Sequence, residues 1–145
     1  MKKIKEVKWE VLETRELFRA DPRLVVSVQK VRLPDGRVID DYYKIVYPDA
    51  VVMVAVTKDR KVVMSRQYLH GFGHVSIVLP AGTVPKGAGR LETAKRELLE
   101  ETGYSSGNWA LLADPNAHTN YQGCKVSFYL ALDAVKTAEP HSGDL

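Results

Sequence analysis

The segment from Arg90 to Thr102 constrains the fold more than any other part of this sequence, because it carries the complete pattern of a short amphipathic helix. Small or apolar side chains recur along it at helical spacing and predict one buried face. These residues are Leu91, Ala94, Leu98 and Thr102. Gly103 follows directly, at the position where a left-handed residue commonly ends a helix. The sequence therefore predicts a helix over residues 90–102.

Three glutamates lie beside that buried face. At about 100° per residue, Glu97, Glu100 and Glu101 fall within an arc of about 100°. Like charges three and four residues apart destabilise a helix by a few tenths of a kcal/mol per pair, unless a cation offsets the repulsion. Oxygen-rich sites of this kind suit Mg²⁺ or Mn²⁺, and such ions bind and polarise phosphoryl groups. The helix therefore predicts a site that binds Mg²⁺, or Mn²⁺ in its place. We expect this site to hydrolyse a diphosphate.

The remaining segments have the pattern of strands and turns. Residues 7–47 alternate apolar and polar side chains and are broken by Asp21-Pro22 and Pro34-Asp35-Gly36, which favours antiparallel strands. Two Val-rich runs, 50–57 and 62–68, predict a buried hairpin in the main sheet. Further strands are expected over 77–80, 109–112 and 125–132, with a glycine-containing loop over 81–89 that leads into the helix.

By itself the acidic hexapeptide is also compatible with a solvated helix face that is salt-bridged to Lys95 and Arg96. Its context favours a functional role, because Leu79-Pro-Ala-Gly82 precedes it and Gly103-Tyr104 closes it. The combination resembles the box of the Nudix hydrolase family: Gly, five residues, Glu, seven residues, Arg-Glu, an aliphatic residue, any residue, Glu-Glu, any residue, Gly. The matching residues are Gly82, Arg96, Glu97, Leu98, Glu100, Glu101 and Gly103.

The resemblance implies an α/β fold, the Nudix α/β/α sandwich with a mixed sheet, over residues 48–145. Antiparallel strands over residues 1–47 would precede it. By the same resemblance Glu97 and Glu101 are metal ligands, and Glu100 is a neighbouring ligand or a base. The backbone carbonyl of Ala81 would complete the coordination, Arg96 would orient Glu97, and Gly82 would contact the substrate.

Within the family, the chain is most similar to ADP-ribose pyrophosphatases and related nucleotide-sugar hydrolases, through Arg66-Gln67-Tyr68, the Pro-Ala-Gly run and the extra N-terminal strands. This similarity implies a homodimer formed through residues 1–47. It also implies a substrate site that includes Arg66, with an adenine stacked between aromatic side chains, for which Trp9 and Tyr43 are candidates. An ordinary packing role for both rings is the alternative.

Three positions depart from the pattern of the family. Ala88 stands where the box has its first Glu, Val78 replaces a Glu before the Pro-Ala-Gly run, and Leu69 replaces an Arg that would suit a bidentate grip on a phosphate. The sequence also stops at residues 141–145, where relatives continue into an acidic loop. A catalytically weak or inactive Nudix-fold module that binds a nucleotide sugar is therefore the second hypothesis, and an unrelated α/β domain the third.

Composition limits the partners. The formal charge of +3 over 145 residues comes from a small excess of Lys and Arg, and the basic cluster in residues 2–8 is interpreted as a solvated terminus rather than a nucleic-acid arm. Cys124 has no partner for an internal disulfide, and no apolar run is long enough for a membrane span, so a cytoplasmic protein is expected. Because Gly71 and Gly73 flank them, His70 and His74 are not expected to bind zinc.

Overall fold

The computed structural model describes residues 8–117, 120–121 and 123–141. These residues form eleven strands and one helix, α1 (Arg90–Thr102). The strands are β1 (Glu10–Ala20), β2 (Leu24–Arg32), β3 (Val38–Val46), β4 (Ala50–Thr57), β5 (Ser65–Leu69), β6 (His74–Val78), β7 (Ala81–Thr83), β8 (Tyr104–Ser105), β9 (Asn108–Ala113), β10 (Asn116–Ala117) and β11 (Cys124–Lys136). The chain divides into two compact units, one drawn from Met1–Tyr47 and Ala117–Cys124, the other from Pro48–Asn116 and Lys125–Leu145.

The first unit is an antiparallel sheet in the order β1-β2-β3. The β2–β3 connection is a tight turn in which Gly36 has φ 88° and its amide donates to the Leu33 carbonyl at 3.0 Å. Cross-strand ion pairs, among them Arg32–Glu10 at 2.6 Å, lie on its surface. The predicted N-terminal antiparallel sheet is confirmed.

The second unit contains a mixed sheet in the order β10-β11-β4-β7, with β8 and β9 also paired to β11. β11 runs parallel to β4, from Val126 opposite Ala50 to Ala134 opposite Thr57, whereas β7, β8 and β9 pair with their neighbours antiparallel. The strands β4 and β11 supply most of the buried core, because alternate residues of each face the helix side of the sheet. These core residues include Val51, Met53, Ala55, Tyr129 and Ala131.

Helix α1 begins and ends where the sequence predicts. Ala94, Leu98 and Thr102 are buried, Leu91 packs against the core, and Gly103 adopts a left-handed conformation with φ 73°. The mixed α/β fold is confirmed, and the described part of the chain holds one helical layer of the expected sandwich. Within the same residues, no helix is long and apolar enough to cross a membrane.

The predicted hairpin of residues 50–57 and 62–68 forms only next to its turn, where the Thr57 amide donates to the Lys61 carbonyl and the Val63 amide to the Ala55 carbonyl, each at 2.9 Å. An isolated bridge between Val56 and Val62 joins the two runs, and β5 instead pairs with β6 in a separate two-stranded sheet. Residues 81–83 are a strand rather than the start of a loop, and the strand expected over 77–80 ends at Val78. An apolar run does not specify its pairing partner, and three residues such as Ala-Gly-Thr become a strand only through their pairing with β4.

Candidate active site

Helix α1 and strand β7 bring two carboxylates together. Glu97 and Glu101 lie one turn apart on the helix, on the side that faces β7. The Ala81 amide donates to Glu101 Oε2 at 3.2 Å, and a Cβ placed on Gly82 would overlap both Cγ and Cδ of Glu97. The strand can therefore approach Glu97 this closely only because residue 82 has no side chain.

The environment of Glu101 opposes its negative charge. Burial raises the pKa of the Glu101 carboxyl, the Ala81 amide partly offsets this, and the nearby Glu97 charge raises the pKa further. An ionised Glu101 is thus favoured by any positive charge that arrives between the two carboxylates. A cation bound there would offset both the burial of Glu101 and its repulsion by Glu97.

Arg96 holds the other side of the cluster. Its guanidinium contacts Glu97 Oε1 at 2.5 Å through Nη2 and Glu100 Oε2 at 2.6 Å through Nη1. The Glu97 side chain is 16% exposed and that of Glu100 is 32% exposed. The three glutamates predicted to converge are therefore held in two ways, because Glu97 and Glu101 lie over β7 while Arg96 joins Glu97 to Glu100. Although Ala88 and Val78 offer Arg96 no acid, its own helix supplies two.

The family model described as NUDIX domain matches residues 46–144, which is more than half of the chain. The chain belongs to the Nudix family. The resemblance seen in the sequence is confirmed, and the matched range contains the glutamates of α1 and the glycine of β7 that fit the pattern of the Nudix box.

Three curated relatives and one solved structure resemble this Nudix chain. It is 38% identical over 95 residues to a methanol dehydrogenase activator of Bacillus methanolicus. This match covers 64% of this chain and 49% of that protein. It is 37% identical over 79 residues to an ADP-ribose pyrophosphatase of Bacillus subtilis (54% and 42% covered), and 30% identical over 114 residues to one of Mycobacterium tuberculosis (78% and 55% covered). The chain spans about half the length of these relatives.

The solved structure, a crystal structure of an ADP compounds hydrolase, superposes with a TM-score of 0.81 at 22% identity. The match covers 98% of this chain and 76% of that one. At this identity the likeness concerns the Nudix fold, including its N-terminal antiparallel sheet.

Nudix hydrolases generally use divalent metal ions. In the described ranges 8–117, 120–121 and 123–141, no three His, Cys, Asp or Glu side chains converge in a way that could hold a metal ion alone. Mg²⁺, however, is usually bound through one or two carboxylates, with water and substrate phosphates completing its octahedron. Glu97 and Glu101 supply that minimal set of hard oxygen donors, and Gly82 lets the Glu97 side chain lie against β7 on the same side as Glu101, so the chemistry of the residues present fits the ion.

The residues predicted to contact substrate are distributed over both units. Gly82 lies in the Nudix box beside Glu97, and Arg66 is exposed on β5. In the N-terminal sheet the Trp9 ring lies against Tyr42, with centroids 5.7 Å apart at 72°. Tyr43 faces the opposite side of β3, because adjacent strand residues alternate. Within the single chain the Trp9 ring therefore lies against Tyr42 and not against Tyr43, and Tyr42 is the aromatic neighbour that the sequence reasoning missed.

The structure also shows where the three departures from the Nudix pattern lie. Ala88 is exposed in the turn before α1, and its amide donates to the Pro85 carbonyl at 2.9 Å. Leu69 and Val78 occupy the two ends of the β5–β6 ribbon, where Leu69 pairs with His74 and Val78 with Ser65. Both are half-buried, so they give the ribbon apolar side chains at positions where the resemblance predicts a charged residue.

One polar network was not predicted. The Arg90 guanidinium contacts Asp49 Oδ2 at 2.5 Å and Asp114 Oδ2 at 3.7 Å. The Lys125 amide donates to Asp49 Oδ1 at 2.9 Å, and the Ser127 hydroxyl donates to Asp114 at 2.6 Å. The Lys125 amide, followed by Arg90, lowers the pKa of Asp49, and the Ser127 hydroxyl lowers that of Asp114. No short motif reveals such a network, because its members are scattered along the sequence.

Proposed function

We propose that this protein hydrolyses the pyrophosphate bond of a nucleoside diphosphate linked to another moiety, with Mg²⁺ as cofactor and ADP-ribose or a related nucleotide sugar as substrate. The products would be a nucleoside monophosphate and a sugar phosphate. One observation carries the proposal, namely the pairing of Glu97 and Glu101 over Gly82 and Ala81. Two of the relatives are named ADP-ribose pyrophosphatases, which supports this choice of substrate.

Each box residue has a role in this proposal. Glu97 and Glu101 hold the ion, the Ala81 carbonyl adds a ligand, and Glu100 acts as a neighbouring ligand or base. When bound, the ion polarises a phosphoryl oxygen and lowers the pKa of a bound water. Arg96 holds the Glu97 carboxylate in one orientation, because its guanidinium is fixed between two acids.

The N-terminal unit completes the proposal. Residues 1–47 would form a homodimer and contribute aromatic contacts to the substrate. Trp9 and Tyr43 are the predicted contacts there, and Arg66 is the predicted contact from β5. Since Tyr42 is the ring beside Trp9, it joins them as a candidate.

A second function is a nucleotide-sugar binding module without turnover. The contact that favours it is the Arg96 fork, which neutralises Glu97 and Glu100 with an internal cation. In this case the chain would bind the substrate class named above and leave the pyrophosphate bond intact.

The test is a release assay with Mg²⁺ over ADP-ribose, other nucleotide sugars, dinucleoside polyphosphates and nucleoside triphosphates. Glu101→Gln is expected to lower kcat by on the order of 10²-fold or more, since it removes a charged ligand. Glu92→Gln is the matched control, because Glu92 lies on the same helix, is exposed and pairs with Lys95. Turnover that survives Glu101→Gln unchanged would contradict the metal-carboxylate mechanism.

The same proteins separate the two functions. If no substrate is turned over while ADP-ribose raises the Tm of the wild type, the binding module is correct, because a ligand that binds only the folded state stabilises it. If Mg²⁺ is required for release, the hydrolase is correct.

A further inference from the structure

The start of helix α1 is held in an unusual way. Gly89 occupies the N-cap, and no side chain caps the first turn. The first helical residue is Arg90, a cation at the positive end of the helix dipole, where an acid would be favoured. Glu92 is the acid of the first turn, so the helix dipole does not account for Arg90, and Arg90 makes its ion-pair contacts outside the helix.

Those contacts converge on Asp49, the residue immediately before β4. Its side chain accepts from Arg90 Nη2 at 2.5 Å and from the Lys125 amide at 2.9 Å, and its backbone carbonyl accepts from the Val84 amide at 2.7 Å. One residue thus joins the start of α1, the start of β11 and the chain just after β7. Asp114, itself anchored by the buried Ser127, adds a second acid to Arg90.

This junction links the start of α1 to the chain that leaves β7. The residues between Val84 and Arg90 leave β7 and enter the helix, and both ends of that connection are tied to Asp49. Glu97 and Glu101 lie about 10 and 16 Å further along the same rigid helix, at 1.5 Å per residue. A shift of the helix start along the helix axis therefore moves both carboxylates together relative to β7.

We propose that Arg90, paired with Asp49, is a positioning residue for the two carboxylates, and that it fixes the axial location of α1 so that Glu97 meets Gly82 and Glu101 meets Ala81. The inference rests on the proposed function insofar as these carboxylates hold the metal ion. Arg90 itself touches neither the ion nor the substrate. Misplacement of such groups by about 1 Å is sufficient to lower rates by on the order of 10²-fold.

The experiment compares Arg90→Met, which keeps the aliphatic stem, with Lys95→Met, which removes an exposed cation of the same helix that pairs with Glu92. Mn²⁺ alone is titrated into each protein and the Kd is read from water proton relaxation. The Ala81 amide resonance in metal-free protein is recorded as well, because its N–H donates to Glu101. We expect Arg90→Met to raise the Kd at least 10-fold and to displace the Ala81 resonance, whereas Lys95→Met leaves both unchanged.

A lower Tm in Arg90→Met with an unchanged Kd and an unchanged Ala81 resonance would overturn the inference, since a merely structural role predicts that result. If Arg90→Met does not fold, Arg90→Lys and Asp49→Asn decide. The lysine keeps a charge opposite Asp49 and should show a smaller loss of affinity. The asparagine keeps an acceptor for Lys125 but loses the charge, and should show the larger loss; equal, wild-type affinities in both would overturn the inference.

The two proposals fail in different ways. If the wild type binds no Mn²⁺, the metal-dependent function is wrong, and the Ala81 resonance alone decides whether Arg90 positions Glu101. If the wild type binds Mn²⁺ and turns over substrate while Arg90→Met behaves like Lys95→Met, the function stands and the positioning role is wrong.

Discussion

At the scale of single residues, Gly82 determines where a carboxylate can lie. A methyl group there would overlap the side chain of Glu97, whose only escape is away from β7. That escape is restricted, because Arg96 already holds the carboxylate from the other side. The lack of a side chain at residue 82 therefore affects the location of the Glu97 carboxylate more than it affects the backbone of β7.

Substituting Gly82→Ala should weaken metal binding by 10-fold or more, because Glu97 must leave its place beside Glu101. The added methyl should also cost about 1–3 kcal/mol of folding free energy, as overpacking does. Mn²⁺ titration and urea unfolding measure the two effects. Gly107→Ala is the control, since a Cβ there meets nothing within 4 Å; equal Mn²⁺ affinity in the two variants would show that Gly82 does not place Glu97.

The identity of the box glutamates was predictable from sequence, but their division was not. Helical spacing places Glu97, Glu100 and Glu101 on one arc. It does not show that Glu100 pairs with Arg96 while Glu101 accepts a hydrogen bond from the Ala81 amide of β7. That outcome depends on the strand lying against the helix. In the same way, Asp49 and Arg90 are 41 residues apart, and only the folded sheet brings them into contact.

At the scale of elements, helix α1 was predicted in full because both its buried face and its C-terminal signal are local. Gly103 has a further role that no pattern shows. Its carbonyl accepts from the amides of Thr137 and Ala138, at 2.8 and 3.1 Å, which ties the helix end to the chain that follows β11. A Cβ on Gly103 would clash with the Ala138 carbonyl oxygen.

Gly103→Ala is therefore expected to destabilise the protein through two effects. The left-handed conformation, with φ 73°, costs a residue with a side chain about 1–2 kcal/mol, and the clash with Ala138 adds to it. Gly87→Ala is the matched control, because Gly87 has φ 83° and a Cβ added there would meet nothing within 4 Å. Urea unfolding of both variants should show the larger loss of folding free energy for Gly103→Ala. Equal losses would mean that the Ala138 carbonyl moves away without destabilising the protein.

The strands were predicted less well, for a reason that β5 and β7 illustrate. The Val-rich run before Tyr68 shows that a strand is favoured but not which strand it joins, and the ribbon with β6 is decided by the intervening turn. β7 has three residues and no pattern of its own. Pairing is a property of two segments, so a single segment cannot reveal it.

At the scale of the whole molecule, β1 is an edge strand of eleven residues with exposed apolar side chains. They include Val11, Leu17 and Phe18. Among the described residues only β2 pairs with β1, and a long free edge of this kind is a template for pairing with another chain. This supports the proposed homodimer through the N-terminal strands.

We expect the wild type to sediment as a dimer and Phe18→Arg to sediment as a monomer, because a charge in an apolar interface is desolvated without a partner. Phe18 is 56% exposed in the single chain. Phe72→Arg is the control, since Phe72 is 75% exposed but belongs to the β5–β6 turn in the other unit. A monomeric wild type, or a Phe18→Arg protein that remains dimeric, would show that the N-terminal strands are not the interface.

The parallel pairing of β4 with β11 has a consequence for synthesis of the protein. The pair of Ala50 and Val126 can form only after Val126 has been synthesised. The central contact of the sheet therefore joins segments that the ribosome makes far apart in time. A helix of thirteen residues such as α1 is marginal in water without a surface to cover. A nascent chain that has emerged only as far as Gly103 therefore carries every glutamate of the box together with β4 and β7, but it lacks β11, the strand that pairs with β4 and supplies part of the core against which α1 packs.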